Sequence, residues 1–164
     1  MKMEHTDVTL RKIEVTDNAM LEQVIKHILV EFGANKPGFA YADIELTSMY
    51  ESYQGNDRAY YVAEKNGMLL GGAGFGPLLG APEVCELKKM YLSADARGLG
   101  IGDALLRMLI KEAKDSGYKQ LYLETLATMS GAIRLYTKYG FEALHSPLGS
   151  SGHFGCDVWM LREL

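Results

Sequence analysis

At 164 residues, 48% of them hydrophobic and 23% charged, the chain has the length and make-up of one ordinary globular domain, which excludes a disordered tail or a membrane span. A net charge of -4 argues against a nucleic-acid partner, whose phosphates call for clustered Lys and Arg, while tolerating a cationic one. Two cysteines, Cys85 and Cys156, cannot build a disulfide framework and lack zinc-site spacing, and the polar opening MKMEHTDVTL has no apolar signal core, so free thiols, no membrane partner and a cytoplasmic location are expected.

A strand over Val8 to Val15 gives way at Asp17, an N-cap residue. The helix behind it repeats Leu21, Val24, Ile25, Ile28, Leu29 and Phe32 at the spacing of one buried stripe, and Gly33 is placed to end it. Pro37 and Gly38 mark a loop, after which Leu46, Met49, Tyr50 and Tyr53 predict a second helix. Asn66-Gly67 predicts a tight hairpin between two β-rich runs. Gly71, Gly72, Gly74 and Gly76 in the second run point to bulges, or to a close approach of backbone or ligand, or to packing alone. PEVCELKKMYL is the fourth strand. A long helix follows, with Ile101, Leu105, Met108 and Leu109 on its apolar side, Asp103, Arg107, Lys111 and Lys114 opposite, and Gly117 beyond its end. Then come a strand in KQLYLET, a helix in GAIRLYTKYG and a last strand within HFGCDVWMLREL. Alternating helices and strands predict an α/β layered domain spanning 1–164, with no repeat or linker to divide it.

Between the fourth strand and the long helix stands DARGLGIGDALLRMLI, residues 95–110. A helix N-terminus carries unpaired N–H groups and partial positive charge, which suits an anion. Gly98, Gly100 and Gly102 remove Cβ atoms from its approach, and Arg97 adds a charge-assisted contact, so the stretch reads as a pyrophosphate cradle. The same glycines also suit a turn with close helix–strand packing, and their spacing alone leaves both readings open. The Gly-Lys-Ser/Thr ending of a P-loop is missing, and Asp103 stands where a dinucleotide fingerprint wants glycine.

A strand, then Arg97-x-x-Gly100-x-Gly102, then a helix resembles the GNAT acetyltransferase superfamily. ELKKMYL is similar to that family's fourth strand, and AIRLYTKYGF to its late helix with the Tyr136-x-x-x-Gly140-Phe141 ending. The resemblance implies an α+β fold: a mixed, mostly antiparallel sheet flanked by helices and split between its fourth and fifth strands. It implies acetyl-CoA as cosubstrate and no metal. The cradle would be Arg97, Gly98, Leu99, Gly100, Ile101 and Gly102. A bulge near Lys89 and Met90 would free the Met90 N–H for the thioester oxygen, and Leu92 would pair with pantetheine. Met129 stands where the family often has a coenzyme-binding Asn, which leaves Thr128 or Ser130 to replace that contact.

Acetyl transfer to an amine needs a neutral nucleophile, and an amine of pKa about 10.4 costs roughly 4 to 5 kcal/mol to neutralise at pH 7. The resemblance implies Tyr136 as the acid that protonates the departing thiolate. Glu86 matches the glutamate that some members use as a base; it would need burial or a relaying water, and it serves equally as a contact for a substrate ammonium. Glu31, Phe32 and Tyr41 are acceptor-pocket candidates. His153, close to Cys156 and Asp157, is expected to line the substrate site and not to hold a metal. The expected activity is acetyl transfer to a primary amine of a small molecule or peptide by direct attack in a ternary complex. The alternative from another class is a non-catalytic acyl-CoA binding or sensing module. A homodimer is common for the family.

Overall fold

The computed structural model describes residues 1–164. Seven strands form one sheet: β1 (Val8–Lys12), β2 (Ala59–Lys65), β3 (Met68–Leu78), β4 (Ala81–Leu92), β5 (Gln120–Thr125), β6 (Glu142–Leu144) and β7 (Val158–Glu163). Their order is β1-β2-β3-β4-β5-β7-β6, antiparallel throughout except for the parallel pair β4–β5. The helices are α1 (Asn18–Glu31), α2 (Met49–Ser52), α3 (Ile101–Asp115) and α4 (Ser130–Lys138). None is long and apolar enough to cross a membrane.

Alternation along β2 sets the layers, because successive side chains leave a strand on opposite faces. Ala59 and Ala63 face a core of 20 buried residues that includes Ile101, Leu105, Leu106 and Leu109 of α3. Tyr60 and Val62 face a second core of 12, built on Leu21, Ile25 and Leu29 of α1. Each such Leu or Ile, fully withdrawn from water, contributes about 1.5–3 kcal/mol, so both helix stripes are held firmly to the sheet.

Three local readings need correction. β1 ends at Lys12, not Val15, because Val15–Asp17 wind into a 3-10 turn. Asp17 does precede α1, but its carboxylate turns back to accept the Glu14 N–H at 2.8 Å and two Arg11 guanidinium bonds at 2.7 and 2.9 Å, so it caps the turn and not the helix. The second helix is reduced to two 3-10 turns (Ala40–Ala42 and Ile44–Thr47) and the single α turn of α2, with Leu46, Met49 and Tyr53 still buried. β6 is a three-residue strand that no pattern announced.

The expected split is present. β4 and β5 pair only through Val84, Cys85 and Glu86 against Gln120, Leu121 and Tyr122, and then part. The β3–β4 register slips where Gly72 faces Tyr91 but Gly74 faces Lys88, which places an extra β4 residue at Lys89–Met90. Lys89 takes φ +48 there, a left-handed conformation uncommon for a residue with a side chain. The glycine-rich β3 answers to close backbone approach: at Gly71, with φ +128, a Cβ would fall 2.0 Å from the Tyr91 carbonyl oxygen.

Candidate active site

At one end of the split lies the N-terminus of α3. Gly100 occupies its N-cap with φ +76, and the first intrahelical bond runs from the Ala104 N–H to the Gly100 carbonyl at 3.1 Å. The N–H groups ahead of Ala104 therefore point out of the helix end without intrahelical partners. A Cβ at Gly98 would meet nothing within 4 Å, and one at Gly100 only the tip of Met3 at 4.0 Å, so this surface is open. Gly102 differs, since its Cβ would lie 3.0 Å from Leu135 and 3.6 Å from Met90, and its absence lets α3 seat against α4 and β4. The packing reading thus holds at Gly102, while Gly98 and Gly100 leave an open surface at the helix end.

Arg97 sits beside this end. Its guanidinium makes a bidentate pair with Glu31 at 2.6 and 2.9 Å, bonds the Leu92 carbonyl at 3.0 and 3.2 Å, and lies over the Phe32 ring. Glu31 and Phe32 accordingly frame the cradle from the end of α1. They do not line the cleft, and neither does Tyr41, which stacks beneath Lys26. The acceptor-pocket role expected for these three gains nothing from their placement.

The cleft itself runs between β4 from Glu86 to Tyr91 and β5 from Leu123 to Thr125, with Met129, Tyr136, His153 and Cys156 also on its wall. Thr128 and Ser130 flank Met129, the N-cap of α4, whose sulfur accepts a bond from the Thr125 hydroxyl at 3.6 Å. Met90 and Leu92 follow the bulge on β4. Glu86, 6% exposed, has its carboxyl pushed up to about 7 by burial, with Lys88 and His153 pulling the other way. Burial alone holds the Tyr136 hydroxyl well above its usual range, so it stays protonated. Burial likewise pushes the Cys85 and Cys156 thiols up to about 12.

Two loops that contribute Phe39, Ala40, His153 and Cys156 to the cleft wall are joined reciprocally. The Gly155 N–H donates to the Gly38 carbonyl at 2.9 Å. A Cβ on Gly38 would strike the Phe154 ring at 2.7 Å, and one on Gly155 the Phe39 ring at 2.5 Å. His153 Nε2 lies 2.8 and 2.9 Å from the Asp43 carboxylate oxygens. Lys89, its side chain only 1% exposed, reaches Asp43 at 2.7 Å and also bonds Glu45, which accepts the Tyr53 hydroxyl at 2.9 Å. Asp43 and Glu45 were not singled out by the sequence, and Lys89 only as the place of a bulge. Their partnership joins a loop to a strand bulge 44 to 46 residues away, and no spacing rule spans that.

The model of the acetyltransferase (GNAT) family matches residues 21–141. The chain belongs to the GNAT acetyltransferase family. Among relatives, YjgM of Escherichia coli strain K12, named as an uncharacterized N-acetyltransferase, is 40% identical over 158 residues, 94% of each chain. A protein of Schizosaccharomyces pombe, likewise named as an uncharacterized N-acetyltransferase, is 31% identical over 132 residues, 77% of this chain and 80% of its own. Among solved structures, a GNAT acetyltransferase of Staphylococcus aureus superposes with a TM-score of 0.81 at 20% identity, covering 95% of this chain and 98% of its own. YncA of Salmonella typhimurium, solved with its cofactor acetyl-CoA, gives 0.76 at 24% identity over 96% and 94%. The GNAT fold expected from the glycine loop and the Tyr-Gly-Phe ending is therefore present, and the protein is an acetyltransferase.

Proposed function

We propose that the protein moves an acetyl group from acetyl-CoA to a primary amine of a small molecule or peptide, by direct attack in a ternary complex in the cytosol. The observation that carries this reading is the opened β4–β5 split, with a bare helix N-terminus at one end and buried Glu86 and Tyr136 on its wall. The residues present fit acetyl-CoA. The open surface at Gly98 and Gly100 and the unpaired N–H groups of α3 suit a pyrophosphate, and the bulge breaks the β4 ladder where a pantetheine arm needs backbone partners. Gly98 to Gly102 would hold the phosphates, framed by Arg97, with Met90 and Leu92 on the arm and Thr128 or Ser130 near the α4 end. When bound, acetyl-CoA supplies a thioester whose leaving thiol has a pKa of about 8.5.

The chain's own residues then do the proton work. Glu86, with its carboxyl near 7, is poised to accept a proton at neutral pH. Tyr136 holds a proton on its hydroxyl for the departing sulfur. A backbone N–H at Met90 stabilises developing negative charge on the acyl oxygen, a contribution of about 3 kcal/mol where such donors have been removed. Cys85 and Cys156, both kept as thiols, are poor nucleophiles, which favours direct attack over a covalent acyl-enzyme.

The test is a calorimetric titration with acetyl-CoA of the native protein beside Gly100→Glu, followed by thiol release across a panel of primary amines. Saturable binding that the variant loses, together with turnover of at least one amine, supports the reading. Absence of binding by the native protein overturns it. Binding without turnover across the panel favours an acyl-CoA sensing module.

A further inference from the structure

The acetyl-transfer reading leaves a proton without a destination. An acceptor arrives as an ammonium and ends as an amide, so its nitrogen gives up two protons as its lone pair forms the C–N bond and the C–S pair departs with sulfur. One of the two balances the proton that Tyr136 gives to the thiolate, through Glu86; the other must reach water. Glu86 is badly placed for that second task, being 6% exposed with no ion pair to a neighbouring cation.

Resting on that reading, we infer that His153 takes the first proton from the incoming acceptor ammonium and passes it to solvent, with Asp43 and Lys89 as its positioning residues. His153 lines the same cleft as Glu86, and its side chain is 16% exposed, which gives it a path to water that Glu86 lacks. Both Asp43 oxygens lie within 2.9 Å of Nε2, so the neutral ring carries its hydrogen there and keeps the lone pair on Nδ1, which bonds no protein group. This is the orienting logic of a carboxylate–histidine pair, in which the acid fixes tautomer and ring direction.

Lys89 fixes the acid in turn. The left-handed bulge directs its ammonium to Asp43 and Glu45, while its carbonyl accepts the Tyr60 hydroxyl at 2.8 Å. The charged groups acting on the imidazole are Asp43 from the loop after α1 and Lys89 and Glu86 from β4, with Glu124 and the neutral Cys156 thiol elsewhere on the same cleft wall. Burial opposes charge on the ring and Lys89 adds to that, but Asp43 outweighs both, so His153 titrates above its ordinary value of 6.5.

The experiment follows thiol release from acetyl-CoA with a panel of amino acids, diamines and aminoglycosides, using the fastest acceptor for His153→Ala, His153→Gln and Asp43→Asn. His153→Ala is expected to lower kcat/KM about 100-fold at pH 7, within the usual range for one general base. The loss should shrink as pH nears the amine's own pKa, added imidazole should restore part of it, and calorimetric affinity for acetyl-CoA should stay unchanged. Asp43→Asn should move the histidine limb of the profile to lower pH. Full turnover by both histidine variants, an unaltered pH profile, or a loss that imidazole does not relieve overturns the inference alone. A native protein that binds acetyl-CoA and acetylates no amine overturns the acetyl-transfer reading, and the inference falls with it.

Discussion

Replacing Glu86 by Gln removes a charge that the fold dislikes, and the gain can be sized. The carboxyl titrates at about 7 in the fold against 4.5 in the unfolded chain. Because the folded state binds that proton more tightly, the stability it contributes is complete below pH 4.5, declines as pH rises and is lost above about 7. At about 1.4 kcal/mol per pH unit the loss comes to about 3 kcal/mol. Glutamine imitates the protonated acid at every pH. Glu86→Gln and the native protein should therefore be equally stable at pH 4.5 and diverge to about 3 kcal/mol by pH 8, a rise in Tm of roughly 6–12 °C for a chain of this size. Urea denaturation of both proteins from pH 4.5 to 8.5 measures this, and turnover should fall in the variant as its stability rises. A stability gap that stays constant with pH would refute the reasoning, because it would show that Glu86 is solvated or paired in the fold.

Tyr136→Phe should lower kcat about 100-fold with calorimetric acetyl-CoA affinity unchanged, since only the proton for the departing sulfur is removed; a wild-type kcat would show that the ring merely packs. Cys156→Ala should keep wild-type turnover, and a variant that binds acetyl-CoA but does not turn over would instead reveal an acyl-enzyme route. Gly71→Ala places a Cβ 2.0 Å from the Tyr91 carbonyl at φ +128 and should cost about 3 kcal/mol, read as a Tm lower by at least about 6 °C.

Where chain neighbours decide the structure, the sequence could be read. The stripe from Leu21 to Leu29 and the apolar side of α3 from Ile101 to Leu109 lie as their spacing requires, and the hairpin turns at Asn66-Gly67. The helix expected from Leu46 to Tyr53 failed for a tertiary reason: Glu45 is held by Lys89 and the Tyr53 hydroxyl, and Ser48 turns to φ -141, ψ 49. Its apolar residues still reach the core, but from turns. The open glycine surface at the start of α3 was legible because Gly98 to Gly102 are contiguous. The bulge at Lys89 and His153 were each expected, but their meeting at Asp43 was not legible, because contacts between residues 46 and 110 apart leave no local trace. The pairing of Glu31 and Phe32 with Arg97 was not legible either, since nothing in the sequence shows that α1 ends against Arg97.

The reciprocal seating of Phe154 on Gly38 and Phe39 on Gly155 bears on how this enzyme can diversify. A larger residue in place of either glycine would press on a ring that belongs to the other loop. A substitution at Gly38 or Gly155 is therefore felt across both loops, and a compensating change at Phe154 or Phe39 on the other loop would relieve it.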